Sequence, residues 1–140
     1  CTGATAKVPR FYTEAENGLA QDWSGERVFM NPPYGREVYD WTRKARTSGA
    51  ILVVGLLPAS TDLAWWHNDV VGRAQEVRYI RGRVRFLTGG PYRASGFFAS
   101  VIVVWCPPTT TVGGSGITMV HSATCAPRGL PARLRARKAA

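Results

Sequence analysis

Residues 28–35, VFMNPPYG, restrict the fold of this chain more than any other stretch, because two adjacent prolines follow an apolar run. A proline has no backbone N–H group to donate, and it restricts the residue before it to extended conformations. A strand therefore cannot continue through the two prolines, and a helix cannot begin before them. The stretch predicts a short strand, Arg27–Met30, that runs into Asn31, followed by a rigid turn that fixes Tyr34.

The rest of the chain alternates between helical and strand patterns. Apolar residues recur at helical spacing from Arg36 to about Thr47. The run 50–57 is almost continuously apolar, which is typical of a strand buried on both faces. Capping residues then predict a helix over about 60–72. Two further strand patterns, Glu76–Phe86 and Phe97–Trp105, are separated by a loop and predict an antiparallel pair.

This order of elements predicts an α/β fold with a mixed sheet. The first strands are expected to be parallel and joined by helices, and the last two to lie at the C-terminal edge. Ligands of such sheets bind beyond the carboxyl ends of the strands, where Asn31 and Pro58 both lie. Of the 140 residues, we assign 1–108 to one domain and expect 109–140 to be a linker and a disordered basic tail.

The charge of the chain points to a polyanionic partner. The formal net charge is +9 and the isoelectric point is near 10.2, which favours nucleic acid first and an anionic membrane surface second. Arg81, Arg83 and Arg85 alternate along a predicted strand and would project to one side of it. Together with Arg36 they are candidate phosphate contacts. The other interpretation of the three is an edge strand protected by charge.

Other classes of protein fit the sequence less well. The longest apolar run, residues 50–59, is too short to span a membrane, and we expect no signal peptide. The three cysteines have no C-x-x-C spacing, so neither a disulfide framework nor a metal site is predicted. We therefore expect a cytoplasmic protein without a membrane or metal partner.

The Asn-Pro-Pro-Tyr sequence suits the chemistry of a planar amine such as that of adenine. The lone pair of this amine is delocalised into the ring, so a methylating enzyme must hold both N–H groups with acceptors. The Asn31 side-chain oxygen and the Pro32 carbonyl are two such acceptors, and Pro33 fixes the direction of that carbonyl. Tyr34 offers a flat face for a base extruded from the duplex. The alternative is a rigid turn without chemistry.

The motif and its surroundings resemble a known family. The motif is similar to the catalytic motif of amino-group methyltransferases that use S-adenosylmethionine, and the wider pattern resembles phage-encoded DNA N-6-adenine methyltransferases. The other segments that resemble the family are RFYTEAENGLAQDW, GLLPASTDLAWWH, YIRGRVRF and FFASVIVVW. The resemblance covers about residues 1–106 and implies a Rossmann-like methyltransferase sheet.

The resemblance also implies where the base and the cofactor would lie. It implies that the base is held by Asn31, Pro32, Pro33 and Tyr34. It implies that the cofactor is bound by Asn17, Gly18 and Leu19. The family usually has Asp before Gly-Leu, whereas this chain has Asn17, with Glu16 before it. The family also has an apolar strand ending in Asp just before the position of Cys1, so we expect a sheet without that first strand.

The function predicted from these features is transfer of a methyl group from S-adenosylmethionine to the exocyclic amine of adenine in double-stranded DNA. Two alternatives stay open at this point. One is the same chemistry on RNA adenine or on a protein glutamine amide, since both present a planar NH₂ group. The other is a non-catalytic or degraded protein that keeps the methyltransferase fold and binds nucleic acid through its basic surface.

Overall fold

The computed structural model of the chain describes residues 3, 6–87, 93–95, 97–106 and 116–121. These residues form an α/β arrangement of strands around one α-helix, α1, and one π-helical turn. The strands are β1 (Arg27–Met30), β2 (Leu52–Pro58), β3 (Glu76–Arg81), β4 (Arg85–Leu87), β5 (Arg93–Ser95), β6 (Ser100–Trp105) and β7 (Gly116–His121); α1 is Val38–Thr47 and the π-helical turn is Trp66–Val70.

The main sheet is mixed, with strands in the order β1-β2-β6-β3-β7. β1 pairs with β2 in parallel, and β3 pairs with β7 in parallel. β6 is antiparallel to both β2 and β3. Four of the five strands therefore point the same way, so their carboxyl ends and the amino end of β6 share one edge, which we call the carboxyl edge. β4 and β5 form a separate antiparallel pair.

The first unit of the fold, β1-α1-β2, agrees closely with the sequence pattern. The strand Arg27–Met30 is confirmed, and the helix predicted from Arg36 begins at Val38. The helix is followed by Gly49, whose φ of 72° is left-handed and suits a residue without a Cβ. The two prolines thus separate a strand from a helix, as their chemistry requires.

The core lies along β2 and β6 and beneath the helical segments. Its largest fully buried side chains include Trp65, Leu57 and Val53. At Gly55 the backbone runs too close to its neighbours for a side chain, because a Cβ there would lie 2.8 Å from Met30 Cε and 3.1 Å from the Trp105 ring. A glycine at this position lets these two large residues pack over β2.

A buried polar network joins α1 to the π-helical turn and to β6. Asp69 Oδ1 accepts a hydrogen bond from Arg46 Nε at 2.9 Å, and Asp69 Oδ2 accepts one from Thr42 Oγ1 at 3.2 Å. The Asp69 backbone carbonyl accepts a third from Trp105 Nε1 at 2.8 Å. With these partners the buried carboxylate is satisfied, so the network connects elements rather than leaving an uncompensated charge.

The predicted helix over 60–72 is shorter in the structure. Helical backbone begins at Ala64 and becomes the π-helical turn, and no side chain caps that turn. Ser60 instead closes a local turn in which its carbonyl accepts from the Leu63 N–H at 3.3 Å. The connection before Ala64 therefore contains this backbone turn in place of the first turn of the predicted helix.

The region 76–86 differs most from the sequence prediction, which treated it as one strand. Gly82 has a left-handed φ of 87° and ends β3, and β4 starts afterwards and pairs with β5. The prediction that Arg81, Arg83 and Arg85 project to one side of a single strand is therefore wrong. Arg81 ends β3, Arg83 lies between strands and Arg85 begins β4.

The antiparallel pairing of the last two predicted strands is confirmed, but their place at the edge of the sheet is wrong. β6 lies between β2 and β3, and β3 lies between β6 and β7. The reason is the composition of β6, SVIVVW, which buries residues on both of its faces and so suits an interior strand.

Residues 116–121, which the sequence analysis placed in the linker, form β7 alongside β3. The other residues of 109–140 lie outside the described part of the chain. The domain boundary at residue 108 stays a prediction.

Candidate active site

Asn31 and its neighbours lie at the carboxyl edge of the sheet. Asn31 directly follows β1, while Ser100, the first residue of β6, pairs with Pro58 at the end of β2. The Ala59 N–H donates to the Ala99 carbonyl at 2.9 Å, which extends this pairing past the ends of both strands. The turn after β1 and the segment before β6 therefore meet at one edge.

The proline turn exposes the Asn31 amide and buries the Pro32 ring. Asn31 and Pro33 are exposed, Pro32 is buried and Tyr34 is half-buried. Among the described residues, none makes a hydrogen bond to the Asn31 side chain. A rigid backbone that displays an unpaired amide is well suited to accept a hydrogen bond from a ligand.

The Tyr34 ring packs among aromatic side chains from distant parts of the chain. Its centroid is 6.1 Å from that of Phe86, edge to face at 88°, and 6.5 Å from that of Phe98, tilted at 58°. We call Tyr34, Phe86 and Phe98 the aromatic cluster. The sequence analysis proposed Tyr34 for stacking but missed the two phenylalanines, and the adjacent phenylalanines at 97–98 were the signal available.

The Tyr34 hydroxyl is buried and lacks a hydrogen bond to any described residue. Burial raises the pKa of this hydroxyl, and the nearby Ser100 hydroxyl lowers it by less without reaching hydrogen-bond geometry. The phenol therefore stays neutral at physiological pH. Within the described residues, the ring makes the aromatic contacts of this side chain and the hydroxyl makes no hydrogen bond.

The predicted cofactor residues lie in a loop, residues 14–23, that packs on α1. Asn17 has a left-handed φ of 49°, and its Oδ1 accepts from the Leu19 N–H at 3.2 Å. Asn and Asp can both make this local bond, so Asn17 can hold the turn as an Asp would. Gly18 is buried against Trp41, since a Cβ there would lie 2.9 Å from the Trp41 ring.

Lys44 of α1 ties this loop down, a role the sequence analysis missed. Its Nζ donates to the carbonyls of Leu19 at 2.8 Å and Gln21 at 2.6 Å. The same ammonium lies 5.0 Å from the centre of the Trp23 ring, and Trp23 Nε1 donates to the Gly18 carbonyl at 3.1 Å. The helix that follows the proline turn thus also holds the 14–23 loop.

The four candidate phosphate contacts are all exposed. Arg36 lies in the turn between Tyr34 and α1, while Arg81 is the last residue of β3. Arg83 and Arg85 follow at the start of the β4 and β5 pair. Although they do not share a strand, Arg36 follows the carboxyl end of β1, and the other three lie at or after the carboxyl end of β3.

One family model matches residues 1–126 of the chain, and its description is DNA N-6-adenine-methyltransferase. The chain belongs to this family. The match contains the proline turn, the 14–23 loop, the four arginines and β7. No curated protein and no solved structure matches the chain.

By its description, the family consists of adenine methyltransferases that act on DNA. Membership of the family gives the general activity of this chain. In the part of the chain that the structure describes, no group of three or more His, Cys, Asp or Glu residues is placed to hold a metal ion.

The helices formed by the described residues are too short or too polar to cross a membrane.

Proposed function

We propose that this chain transfers a methyl group from S-adenosylmethionine to the N6 amine of adenine in double-stranded DNA. The observation that carries the proposal is the exposed Asn31 amide, fixed by two prolines at the carboxyl edge and followed by an aromatic ring. The family to which the chain belongs supports adenine as the target. The fold we propose is a Rossmann-like methyltransferase sheet, supported by the parallel β1-α1-β2 unit.

Each residue of the turn has a separate role in this proposal. The Asn31 Oδ1 and the Pro32 carbonyl accept the two N–H groups of the amine, which favours a tetrahedral nitrogen whose lone pair is free to attack. Pro33 holds that carbonyl in place, and the Tyr34 ring stacks on the extruded base. S-adenosylmethionine, when bound, would supply the electrophilic methyl group, with the methyl–sulfur bond breaking and its electron pair staying on the sulfur of the leaving thioether. One of the two amine protons, held at Asn31 Oδ1 or at the Pro32 carbonyl, would then pass to water. No covalent intermediate with the protein is required.

The residues of the 14–23 loop fit the adenine end of the cofactor. Trp41 Nε1 is buried and has no hydrogen-bond partner among the described residues, and the Trp41 ring packs on Gly18. A buried donor without an acceptor beside this loop suits a polar ligand. We propose that Asn17, Gly18 and Leu19 hold the cofactor there. Within the described residues β1 pairs only with β2, which leaves its outer edge for the first strand that the family resemblance implies.

The DNA partner is supported by charge. The net charge of +9 and four exposed arginines at the carboxyl edge suit a polyanion. We propose that Arg36, Arg81, Arg83 and Arg85 contact phosphates on either side of the target base. The substrate would be DNA in the cytoplasm, of the host cell if the protein is encoded by a phage.

Substitution of Asn31 tests the proposal. We expect Asn31→Ala to lower methyl transfer to unmethylated duplex DNA by about 100-fold or more, since one acceptor of the transition state is lost. DNA affinity, measured by fluorescence anisotropy, should change less than about twofold, because phosphate contacts dominate it. Asn68→Ala, an exposed asparagine in the π-helical turn, is the matched control and should keep full activity.

The same assay separates the alternatives. Full activity of Asn31→Ala would remove Asn31 from the mechanism. DNA binding without any methyl transfer by the wild-type chain would favour a non-catalytic nucleic-acid-binding protein. Methylation of RNA or of a glutamine-containing peptide, but not of DNA, would move the substrate to those classes.

A further inference from the structure

Phe97 is unusual among the described apolar residues because almost all of its side chain faces solvent. It is 93% exposed, while its neighbour Phe98 is 55% exposed and contacts Tyr34. A single exposed apolar residue is common on protein surfaces, so exposure alone says little. The position of Phe97 in the fold is what gives its exposure meaning.

The segment that carries Phe97 is held by a backbone hydrogen bond next to β6 and by the contact of Phe98 with Tyr34. Two residues on, the Ala99 carbonyl accepts from the Ala59 N–H at 2.9 Å, and the buried Ser100 then begins β6. The ring of Phe98 lies 6.5 Å from that of Tyr34. Phe97 is thus attached next to the aromatic cluster, at the carboxyl edge, yet it adds no ring contact to that cluster in the structure.

The surroundings of Phe97 favour a nucleic-acid partner over a protein. The same edge carries the exposed Arg36, Arg81, Arg83 and Arg85, and the chain as a whole has a net charge of +9. An exposed apolar ring on an edge that also carries exposed arginines suits duplex DNA, which has negative phosphates outside and apolar stacked bases inside. Proteins that distort DNA use apolar side chains in this way, as wedges between base steps.

Extrusion of a base also leaves a vacancy in the duplex. Removing the target adenine from the stack breaks its pairing and its stacking on both sides, which opposes the reaction. We propose that Phe97 enters the duplex where the target adenine was and stabilises the extruded state while the Tyr34 ring stacks on that adenine. This proposal rests on the proposed function. Phe97 is a positioning residue, since it does not touch the reacting atoms.

The test compares paired and unpaired targets in an oligonucleotide that carries a sequence methylated by the wild-type chain. With a normal pair, we expect Phe97→Ala to lower kcat/KM by about tenfold or more, because extrusion is less favourable. With an abasic site opposite the target adenine, extrusion is easy, and the loss should fall below about threefold. Phe97→Trp, which keeps a large flat apolar side chain, should keep most of the activity on both substrates.

A spectroscopic measurement reports on extrusion directly. With 2-aminopurine in place of the target adenine, binding of wild-type protein should increase fluorescence as the base leaves the stack. Phe97→Ala at saturating concentration should give a smaller increase. Val71→Ala is the matched control, because Val71 is 53% exposed and precedes the amino end of β3 at the opposite edge of the sheet. It should match the wild type in both assays.

The outcomes distinguish this inference from the proposed function. Equal losses of Phe97→Ala on paired and unpaired targets, or no loss on either, would overturn the role of Phe97 while the wild type still methylates DNA. Absence of methyl transfer by the wild type on any DNA would overturn the proposed function and this inference with it.

Discussion

At the scale of the residue, the ring and the hydroxyl of Tyr34 contribute differently to the packing of the candidate site. Its ring contacts Phe86 and Phe98, whereas its hydroxyl is buried without a hydrogen bond to the described residues. A buried hydroxyl without a partner destabilises the folded state. The proposed stacking on a base requires only the ring.

We therefore predict opposite results for two substitutions of Tyr34. Tyr34→Phe should keep methyl transfer within about threefold of wild type and raise the free energy of unfolding by up to about 1 kcal/mol. Tyr34→Ala should lose most activity and also stability, because the aromatic cluster loses its central ring. Methylation assays and urea denaturation measure the two effects. A large loss of activity in Tyr34→Phe would show that the hydroxyl has a chemical role.

At the scale of the element, α1 connects two parts of the candidate site. It begins just after the proline turn, and its Lys44 holds the 14–23 loop through two carbonyls. Three chemically different contacts hold that loop: the hydrogen bonds from the Lys44 ammonium, the packing of Gly18 on Trp41, and the cation–π contact of Lys44 with Trp23. The loop therefore has a defined shape.

This arrangement predicts that Lys44 acts on cofactor binding more than on the chemical step. Lys44→Met keeps the aliphatic length but removes the charge, so both carbonyls lose their donor. We expect the KM for S-adenosylmethionine to rise by about tenfold, as for loss of a charged hydrogen bond, with kcat changed less than about threefold. Arg43→Met, an exposed neighbour on α1, is the control. A fall in kcat with an unchanged KM would contradict the assignment.

Local chemistry explains which elements the sequence could predict. β1 and α1 were predictable because prolines and helical spacing act within a few residues. The break at Gly82 was not, because alternating arginines look the same whether a strand continues or ends. The place of β6 inside the sheet depends on pairing with β2 and β3, which no local pattern encodes.

In the candidate site too, features that depend on neighbouring residues could be predicted from the sequence, and features that depend on distant contacts could not. The roles of Asn31 and its turn are inferred from residues adjacent in sequence, and these roles stay proposals. The aromatic cluster joins Tyr34 to residues more than 50 positions away, so the adjacent phenylalanines at 97–98 could be noticed in the sequence but their contact with Tyr34 could not be predicted. The contacts of Lys44 with Leu19 and Gln21 join residues more than 20 positions apart, so no local pattern predicts them.

At the scale of the whole molecule, the arginines at the carboxyl edge place part of the net positive charge on the side of the sheet that carries Asn31. Each phosphate contact releases counterions, so the affinity for DNA falls with salt, with a slope of about −0.9 per contact for duplex DNA. The double variant Arg81→Ala/Arg83→Ala should therefore weaken binding and reduce that slope by about 2. Anisotropy titrations over a range of salt concentrations measure both quantities.

The control for this prediction removes the same charge elsewhere. Arg27 and Arg73 are exposed and lie near the amino ends of β1 and β3, at the opposite edge. Arg27→Ala/Arg73→Ala should leave the slope nearly unchanged. Equal effects of the two double variants would mean that overall charge, and not the carboxyl edge, binds DNA.

In the proposed reaction a methyl group passes from S-adenosylmethionine to the adenine amine in DNA. The most direct test incubates the chain and unmethylated duplex DNA with S-adenosylmethionine that carries a deuterated methyl group, then digests the DNA to nucleosides for mass spectrometry. We predict N-6-methyladenine with a trideuterated methyl group, and its near absence with Asn31→Ala. No labelled nucleoside, or a label on cytosine instead of adenine, would contradict it.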